Sequence, residues 1–458
     1  MFEKETIAAI STGMSNSGIG IVRISGPQSF DIIKKIFVPY KEKDVESFSS
    51  HTVHYGNIVD GEHVIDEVLV LIMKAPNTYT REDVVEIDCH GGVVVVKKVL
   101  ETVLKNGARC AEPGEFTKRA FLNGRIDLSQ AEAVADIINA KSSIALDASL
   151  SQLKGNIRDI IKKEREKIVY HIAYIEAALD DPEHMNVDNY GEELKEDVDK
   201  ILIDLDRLLK TSENGKIISE GIKTVILGKP NAGKSSLMNT LLGEERAIVT
   251  DIAGTTRDTL EESMRLSELQ LNIIDTAGIR QTDDVVEKIG VERSKEMAKN
   301  ADLVIYVVDA SVPFDDNDKD IIQIISDKKF IVLLNKTDLE CIVNVEDIKN
   351  IIDTDPIEIS AKNNIGLDMF ENRVREMFYD GKVSFNDEIY ITNLRHKELL
   401  SEAVNSLNLV NESIESGMPE DFYSIDLMNA YEVLGKIIGE AVEDDVVNEI
   451  FSKFCMGK

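Results

Sequence analysis

The sequence predicts a multidomain chain made of an α+β domain, an all-α helical domain and an α/β domain inserted into the helical one. Short β-rich runs such as residues 20–25 and 67–73 alternate with turns in the N-terminal region. The stretch 128–179 contains no proline and is rich in residues that favour helix. Over residues 224–378, strand patterns alternate with helical patterns, as in α/β folds.

Helical spacing returns near the C-terminus. Apolar residues recur at steps of three and four from Leu399 to Ile414 and again from Leu427 to Ala441, which predicts amphipathic helices. Two helical blocks therefore flank the α/β block, and insertion is tolerated where the termini of a domain lie close together. The predicted boundaries are 1–119 for the α+β domain, 120–216 and 379–458 for the two helical halves, and 217–378 for the inserted domain.

Composition and charge exclude several classes of protein. The 458 residues include 52 Lys+Arg and 84 Asp+Glu, a formal net charge of −32, and 43% are hydrophobic. Each phosphate contact needs a local cation, so we expect any nucleic-acid contact to be confined to a patch. The four cysteines are isolated from one another, which excludes a zinc ribbon and a disulfide framework. Without a signal-peptide pattern or a long apolar run, we expect a cytoplasmic protein with no membrane contact.

A phosphate-binding motif opens the α/β block. Residues 228–235 read GKPNAGKS and match G-x-x-x-x-G-K-[ST], between a β-rich run and a helical run. The glycines let backbone N–H groups turn toward the phosphates, and the helix N-terminus adds its dipole. Lys234 then reaches the β- and γ-phosphates, while Ser235 ligates magnesium. The sequence therefore predicts a P-loop.

Further motifs follow in the order of a guanine-nucleotide switch. Residues 255–258 (TTRD) offer hydroxyls to the γ-phosphate and magnesium, 275–278 (DTAG) follow a strand, and 335–338 (NKTD) end another, with a weaker match at 360–362 (SAK). Asp338 can accept hydrogen bonds from N1–H and the 2-amino group of guanine, which adenine lacks. These motifs predict a Ras-like GTPase domain that binds GTP and Mg²⁺. The residues expected to contact the nucleotide are Asn231, Ala232, Gly233, Lys234, Ser235, Ser236, Thr250, Asp251, Ile252, Ala253, Gly254, Thr255, Thr256, Asp275, Thr276, Ala277, Gly278, Asn335, Lys336, Asp338, Ser360 and Ala361.

One position departs from many small GTPases. These place a glutamine after the D-x-x-G glycine to orient the attacking water, whereas this chain has Ile279 there. An aliphatic side chain cannot orient water, so another group must do so. The acidic stretch 283–288 offers carboxylates for that role.

Several segments outside the shared motifs resemble one GTPase family. They are GIGIVRISG at 18–26, EDVVEIDCHGG at 82–92, PGEFTKRAFLN at 113–123 and the terminal FCMGK at 454–458. On these segments the chain resembles, over essentially its whole length, the MnmE (TrmE) family of tRNA modification GTPases within the TrmE-Era-EngA-like group. In this chain Met456 replaces the aliphatic residue usual before the terminal Gly-Lys.

The resemblance implies an N-terminal domain that binds folate and dimerises, a central helical domain and an inserted GTPase domain. It implies GTP hydrolysis coupled to adding an aminomethyl or carboxymethylaminomethyl group at carbon 5 of the wobble uridine of certain tRNAs. A partner protein dependent on FAD would share the work, in a heterotetramer with the homodimer. A tetrahydrofolate, 5-formyl or 5,10-methylene, would supply the one-carbon unit.

Individual roles carry over to matching positions. Asn231, Thr250, Ile252 and Thr255 match the family's potassium site, and a cation there can neutralise charge between the β- and γ-phosphates. Ser235 and Thr256 match magnesium ligands. Glu287 matches the water-orienting glutamate, which resolves the difficulty posed by Ile279. The positions matching folate contacts are Arg23, Glu86, Arg125 and Lys458, and Cys455 is the candidate thiolate catalyst.

Each assignment has an alternative at this stage. Asn231 could serve only to form a turn, Glu287 and Arg23 could be surface charges, and Cys455 could only complete the packing of the last helix. Cys89 and Cys110 are interpreted as small core residues. The whole chain could also be a GTPase switch in ribosome or ribonucleoprotein assembly, without one-carbon chemistry. The G motifs do not separate these functions, whereas the N-terminal segments and the terminal tetrapeptide favour tRNA modification.

Overall fold

The computed structural model describes residues 5–41, 45–181, 190–241, 243, 262–266, 269–274, 298–299, 301–349, 354–379, 389–440, 442–455 and 457. The chain divides into two compact units. The first comprises residues 1–139, 149–203 and 398–458, and the second comprises 140–148 and 204–397.

A seven-stranded sheet forms the N-terminal part of the first unit. Its strands are β1 (Ile7–Ile10), β2 (Ile19–Ser25), β3 (Phe37–Pro39), β4 (Thr52–Asp60), β5 (His63–Met73), β6 (Val84–His90) and β7 (Arg109–Cys110), in the order β3-β4-β5-β6-β2-β1-β7. Neighbouring strands are antiparallel except β1 and β7. Helices α1 (Ser29–Ile36) and α2 (Val93–Lys105) cover one face, where alternate strand residues such as Val70, Ile72 and Ile87 are buried.

Helices follow this sheet in the chain. They are α3 (Glu115–Leu122), α4 (Leu128–Asn139), α5 (Ser143–Leu153), α6 (Asn156–Asp180) and α7 (Tyr190–Glu220). Along α7, Ile201, Leu205 and Leu208 recur at helical spacing and are all buried, so they form one apolar face.

A six-stranded sheet forms the centre of the second unit. Its strands are β8 (Ile222–Leu227), β9 (Glu262–Leu266), β10 (Leu269–Ile273), β11 (Leu303–Asp309), β12 (Phe330–Asn335) and β13 (Ile357–Glu358), in the order β13-β12-β11-β8-β10-β9. All pairings are parallel except that of β9 with β10. Helices α8 (Lys234–Leu241), α9 (Asp316–Ile325), α10 (Val345–Lys349) and α11 (Leu367–Tyr379) accompany it. Every residue of β11 is buried, as in a parallel strand covered on both faces.

The chain ends in three helices, α12 (Leu394–Glu415), α13 (Glu420–Ile438) and α14 (Asp444–Ser452). The predicted apolar faces are confirmed, since Ala403, Leu407, Leu427 and Leu434 are buried. In the first unit α14 packs with α3 and α4 through a cluster that contains Phe451. Among the helices described, none is long and apolar enough to cross a membrane.

The sequence interpretation of one cysteine was wrong. Cys89 is buried as predicted, but Cys110 is exposed. Cys110 ends the two-residue strand β7, which lies beside β1 at the edge of the sheet, and neither residue of this short strand is buried.

Candidate functional site

The P-loop lies between β8 and α8, where the sequence predicted it. Gly228 and Gly233 have φ of 150° and 96°, and Asn231 has φ of 64°. A Cβ at Gly228 would lie 2.4 Å from the carbonyl oxygen of Val307, and one at Gly233 would lie 2.2 Å from Nδ2 of Asn335. Only glycine fits at these two positions, because both the backbone angle and the available space exclude a side chain.

The P-loop lysine is directed into the loop. Lys234 Nζ donates to the carbonyl oxygens of Gly228 and Lys229, both at 2.7 Å. Burial lowers the pKa of Lys234, because it disfavours the charged ammonium. A phosphate would supply the opposite charge at this point, and Ser235 in the first turn of α8 has the hydroxyl needed for magnesium.

A charged cluster fixes the start of the P-loop. Lys229 Nζ pairs with Asp315 Oδ2 at 2.8 Å and with Asp318, both at the N-terminus of α9. The buried Tyr306 hydroxyl donates to Asp318 Oδ1 at 2.5 Å. Lys229 occupies a position at which the P-loop motif allows any residue. The motif therefore does not predict that Lys229 anchors the loop.

The guanine motifs meet at the carboxyl ends of β12 and β13. Asn335 Nδ2 donates to Ala232 O at 2.9 Å, while Asn335 Oδ1 accepts from the Ala361 amide at 3.1 Å. Asp338 Oδ1 accepts from Ser360 Oγ at 2.7 Å. Asn335 therefore ties the phosphate loop to the base loop, and Ser360 orients the carboxylate predicted to read guanine.

The lysine of the NKTD motif is also fixed. Lys336, with φ of 66°, pairs through Nζ with Asp309 Oδ2 at 2.6 Å. Burial would raise the pKa of Asp309, but bonds from Lys336 and Ser311 lower it overall. The ion pair holds the aliphatic part of Lys336 beside the base-recognition residues.

A second cluster of candidate residues lies on the N-terminal sheet. Arg23 on β2 and Glu86 on β6 face each other in register, and Arg23 Nε donates to Glu86 Oε1 at 2.7 Å. Both side chains are largely buried, with 16% and 17% exposure. The pair is therefore more than a surface cation beside a surface anion, the alternative that the sequence left open.

Tyr79, which sequence reasoning did not single out, joins two of the predicted residues. The guanidinium of Arg125 lies 4.7 Å from the centre of the Tyr79 ring, and that of Arg23 lies 5.6 Å away. The Tyr79 hydroxyl bonds to Thr117 Oγ1 at 2.8 Å. Such stacking is favourable and restricts each guanidinium. In the sequence, Tyr79 is visible only as an aromatic residue just before the matched segment 82–92. Its spacing does not predict that it contacts Arg125.

The C-terminal tail reaches the same cluster. Gly457 O accepts from Ser11 Oγ at 3.1 Å and lies 3.5 Å from Arg23 Nη1. Upstream, Cys455 O accepts from the Gly114 amide at 3.3 Å, and the Cys455 thiol is exposed. Gly457 has φ of 86°, and a Cβ there would lie 2.2 Å from Ile10 O. The tail is thus held against β1 by contacts that require glycine.

An ion network, buried except at Arg109, supports the loops around this cluster. Glu115 accepts from Arg109 Nη2 at 2.7 Å and Arg119 Nη2 at 2.9 Å, and Arg119 also pairs with Glu82 at 2.9 Å. Burial would raise the pKa of Glu115, but the bonds from Arg109, the Glu112 amide and Arg119 lower it overall. The matched segment 113–123 therefore contains residues that build the site rather than line it.

Comparisons with known proteins cover the regions of the chain that contain both clusters. Residues 6–125 match the family described as GTP-binding protein TrmE N-terminus, and residues 128–455 match the MnmE helical domain. The chain is 60% identical over 455 residues to the tRNA modification GTPase MnmE of Lachnoclostridium phytofermentans, covering 99% of both chains. It is 51% identical over 457 residues to the protein of that name from Thermoanaerobacter pseudethanolicus, again covering 99% of both.

The chain belongs to the MnmE family of tRNA modification GTPases. Membership confirms the predicted GTP-hydrolysing enzyme and the predicted fold class, with an N-terminal α+β domain, a helical domain and a Ras-like GTPase domain. Among solved structures, Era of Aquifex aeolicus is 29% identical, covering 41% of this chain and 67% of that chain, with a TM-score of 0.26.

Part of the MnmE site prediction falls outside the described residues. These positions are Thr250, Asp251, Ile252, Ala253, Gly254, Thr255, Thr256, Asp275, Thr276, Ala277, Gly278, Glu287 and Lys458. Within the part of the chain that the structure describes, no group of three or more His, Cys, Asp or Glu side chains is arranged to hold a metal ion. The domain boundaries and the role of each site residue remain predictions.

Proposed function

We propose that this GTPase uses GTP hydrolysis to drive the addition of a (carboxymethyl)aminomethyl group to carbon 5 of the wobble uridine of certain tRNAs. A tetrahydrofolate, 5-formyl or 5,10-methylene, serves as the one-carbon donor, and an FAD-dependent protein is the partner. The observation that carries the proposal is the convergence of the Arg23–Glu86 pair, Tyr79, Arg125 and the C-terminal Gly457 in one cluster. A GTPase that served only as an assembly switch has no need of it.

The proposed binding of folate rests on the hydrogen-bond donors and acceptors of this cluster. Glu86 can accept hydrogen bonds from the amino and ring N–H groups of a pterin, with Arg23 holding the carboxylate in place. Arg125, exposed on the Tyr79 ring, offers a planar donor pair to a carboxylate. Lys458 would add a second cation after Gly457. When bound, the folate supplies the one-carbon unit, and the exposed Cys455 thiol is the candidate nucleophile.

In this proposal, GTP hydrolysis requires two cations. Ser235 and Thr256 would hold magnesium, and Asn231, Thr250, Ile252 and Thr255 would hold potassium, which neutralises charge between the phosphates. Asn231 has a left-handed backbone conformation, which asparagine adopts readily in tight loops, and its amide oxygen is the group proposed to bind the potassium ion. We expect turnover to need potassium, to fall in sodium and to rise with protein concentration. Equal rates in the two salts would contradict the ion site.

The homodimer would form through the sheet face that α1 and α2 leave uncovered. Exposed apolar residues line this face on β3, β4 and β5 and directly after β3: Val38, Tyr40, Val53, Tyr55 and Leu69. The rings of Tyr40 and Tyr55 stack with centres 4.8 Å apart, and both hydroxyls bond to Glu67. Exposed apolar side chains grouped in this way, around a carboxylate that is already bonded, indicate an interface, because an interface would remove their apolar surface from water.

The contacts with tRNA and with the FAD-dependent partner follow from the same assignment. A net charge of −32 limits how much nucleic acid the chain alone can hold, so a partner that brings its own cations fits the reaction. A cytoplasmic location, where tRNA, folate and reduced cysteines occur together, completes the proposal.

A cysteine variant tests this function. In a strain lacking the gene, nucleoside analysis of bulk tRNA should show unmodified wobble uridine, and the native gene should restore the modification. Cys455→Ser should fail to restore it while retaining the dimer and potassium-stimulated GTPase activity. Normal wobble nucleosides in the deletion strain would contradict the function and support an assembly switch, whereas loss of GTPase activity in the variant would indicate a structural role for Cys455.

A further inference from the structure

Two loops beside the N-terminal cluster are joined by side-chain bonds. Arg81 Nη1 donates to Asn123 O at 2.8 Å, and Asn123 Nδ2 donates to Thr80 O at 2.7 Å. Arg81 has φ of 58°, a left-handed conformation that is uncommon outside glycine and asparagine. Of the four other non-glycine residues with positive φ among those described, Asn231 and Lys336 belong to the nucleotide motifs, whereas His51 and Asn364 do not. The backbone strain at Arg81 therefore needs an explanation, and strain of this kind concentrates at binding sites.

The arginines of this domain fall into two groups. Arg23, Arg109 and Arg119 each pair with a glutamate inside the domain. Arg81 and Arg125 are exposed, and among the residues that the structure describes no carboxylate pairs with either. This is unusual in a chain with 84 acidic and 52 basic residues, where a nearby acid is easily supplied. Two preorganised guanidinium groups are thus left available to an external anion.

Both free guanidinium groups lie next to the proposed folate site. Arg125 shares the Tyr79 ring with Arg23, and Arg81 is bonded to Asn123, two residues before Arg125. A Cβ at Gly124 would lie 3.4 Å from Arg81 Nη1, so the loop passes close to this guanidinium. Positive charge therefore extends from the cluster along the two loops that contain Arg81 and Arg125.

We propose that Arg81 and Arg125 bind the carboxylates of a γ-linked oligoglutamate tail, so that the site prefers polyglutamylated folate over the monoglutamate. The inference rests on the proposed folate role of this cluster. Each added glutamate brings one more carboxylate, which a guanidinium binds through two parallel hydrogen bonds. Tyr79 is the positioning residue, because its ring holds Arg125 at the start of the tail.

Charge in the surroundings favours a narrow carboxylate chain over a nucleic-acid backbone. A phosphate backbone needs several cations spread over a broad surface. Here the exposed acids Asp444 and Asp445 begin α14, which packs in the cluster that Tyr79 contacts. Two guanidinium groups are too few for a phosphate backbone, but they match the two carboxylates that a triglutamate tail adds.

The affinities of the full-length protein for 5-formyltetrahydrofolate and its triglutamate, measured by calorimetry, test the proposal. An exposed ion pair contributes about 0.2–1 kcal/mol, so two added glutamates should tighten binding by about 2- to 30-fold at low salt and by less at high salt. Arg81→Gln, which removes one of the two ion pairs, should reduce this ratio to about its square root while leaving monoglutamate affinity within about twofold. Arg81→Lys, which keeps the charge, should retain most of the preference.

The matched control is Lys105→Gln, a loss of one positive charge in the same domain at a lysine that pairs with Asp60 at 2.8 Å. It should leave the ratio unchanged. Equal affinity of the native chain for the two folates would overturn the oligoglutamate proposal and leave the folate function standing. No binding of either folate would overturn the folate function as well. A loss of tRNA affinity in Arg81→Gln with an unchanged folate ratio would reassign Arg81 to nucleic acid and overturn the proposal.

Discussion

The nucleotide site and the N-terminal cluster are built in opposite ways. The described motifs of the nucleotide site are short contiguous runs at the carboxyl ends of the parallel strands β8, β12 and β13, and the Asn335 side chain bonds directly to backbone groups of the other two. The N-terminal cluster draws Arg23, Tyr79, Arg125 and Gly457 from four separate segments of an antiparallel α+β region and the chain end. A site made of local motifs is visible in sequence, whereas an assembled site depends on which segments pack together.

The two sites also differ in their supporting contacts. At the nucleotide site, the Asn335 side chain bonds to the backbone atoms of Ala232 and Ala361, so these contacts do not depend on the side chains of those two residues. At the N-terminal cluster, side chains support one another: Tyr79 supports Arg125, and Glu86 supports Arg23. We therefore expect a substitution at the nucleotide site to remove one contact, and a substitution at the N-terminal cluster to weaken several side chains together.

The largest expected effect is at the base-recognition carboxylate. Asp338→Asn should weaken GTP binding by about 30- to 5000-fold, because an amide cannot accept from both guanine donors and a buried charge-assisted contact is worth about 2–5 kcal/mol. Ser360→Ala, which removes only the bond to Asp338 Oδ1, should cost about 10-fold or less. Titration with a fluorescent guanine nucleotide measures both. If Asp338→Asn bound GTP with native affinity, Asp338 would not be the residue that recognises guanine.

The next effect concerns chemistry rather than binding. Glu287→Ala should lower kcat by roughly 10- to 1000-fold and leave GTP affinity nearly unchanged, since it removes a group that positions water. Single-turnover hydrolysis with saturating GTP separates the two quantities. If the variant hydrolyses GTP normally, Asp283 and Asp284 become the candidates, and Asp283→Ala is the comparison to make.

A smaller effect tests the assembled site through its most distant segment. Gly457→Ala should weaken folate binding by about 10-fold, because the added Cβ would clash with Ile10 O and displace the tail from Arg23. Gly417→Ala is the matched control, since Gly417 also has positive φ, 63°, but has no atom within 4 Å of an added Cβ. GTPase rates should be unchanged in both. If the two variants bound folate with equal affinity, the C-terminal tail would not be part of the folate site.

The smallest effect concerns stability of the helical region in the first unit. His171 is 1% exposed and bonds to the Tyr190 hydroxyl at 2.7 Å, and burial lowers its pKa below the ordinary 6.5 despite Asp197. The unfolded chain therefore binds this proton more tightly, so the free energy of unfolding should fall as pH drops below about 6.5, by at most about 1.4 kcal/mol per pH unit.

A pair of variants isolates that contribution. His171→Gln should reduce the pH dependence of the unfolding free energy between pH 7 and 5, measured by urea denaturation. His63→Gln, at an exposed histidine, should leave it unchanged. The same slope in both variants would show that His171 is not the titrating group.

Much of the fold could be predicted because its signals are periodic. Burial of Ile201 and Leu205 on α7, and of Ala403 and Leu407 on α12, follows the helical spacing. The exposure of Cys110 could not be predicted, because β7 lies at a sheet edge and edge position is a property of strand order. Strand order depends on contacts between distant segments, which residue type and local spacing do not encode.

The nucleotide motifs and the family segments were readable from the chain because each is a contiguous run whose chemistry depends on backbone path and spacing. Tyr79, Lys229 and Arg81 acquired their roles only in the folded structure. Tyr79 matters because two guanidinium groups reach its ring, Lys229 because α9 begins beside it, and Arg81 because no carboxylate among the described residues neutralises it. Each role is a distance between groups remote in sequence, and only the packing of the chain sets such distances.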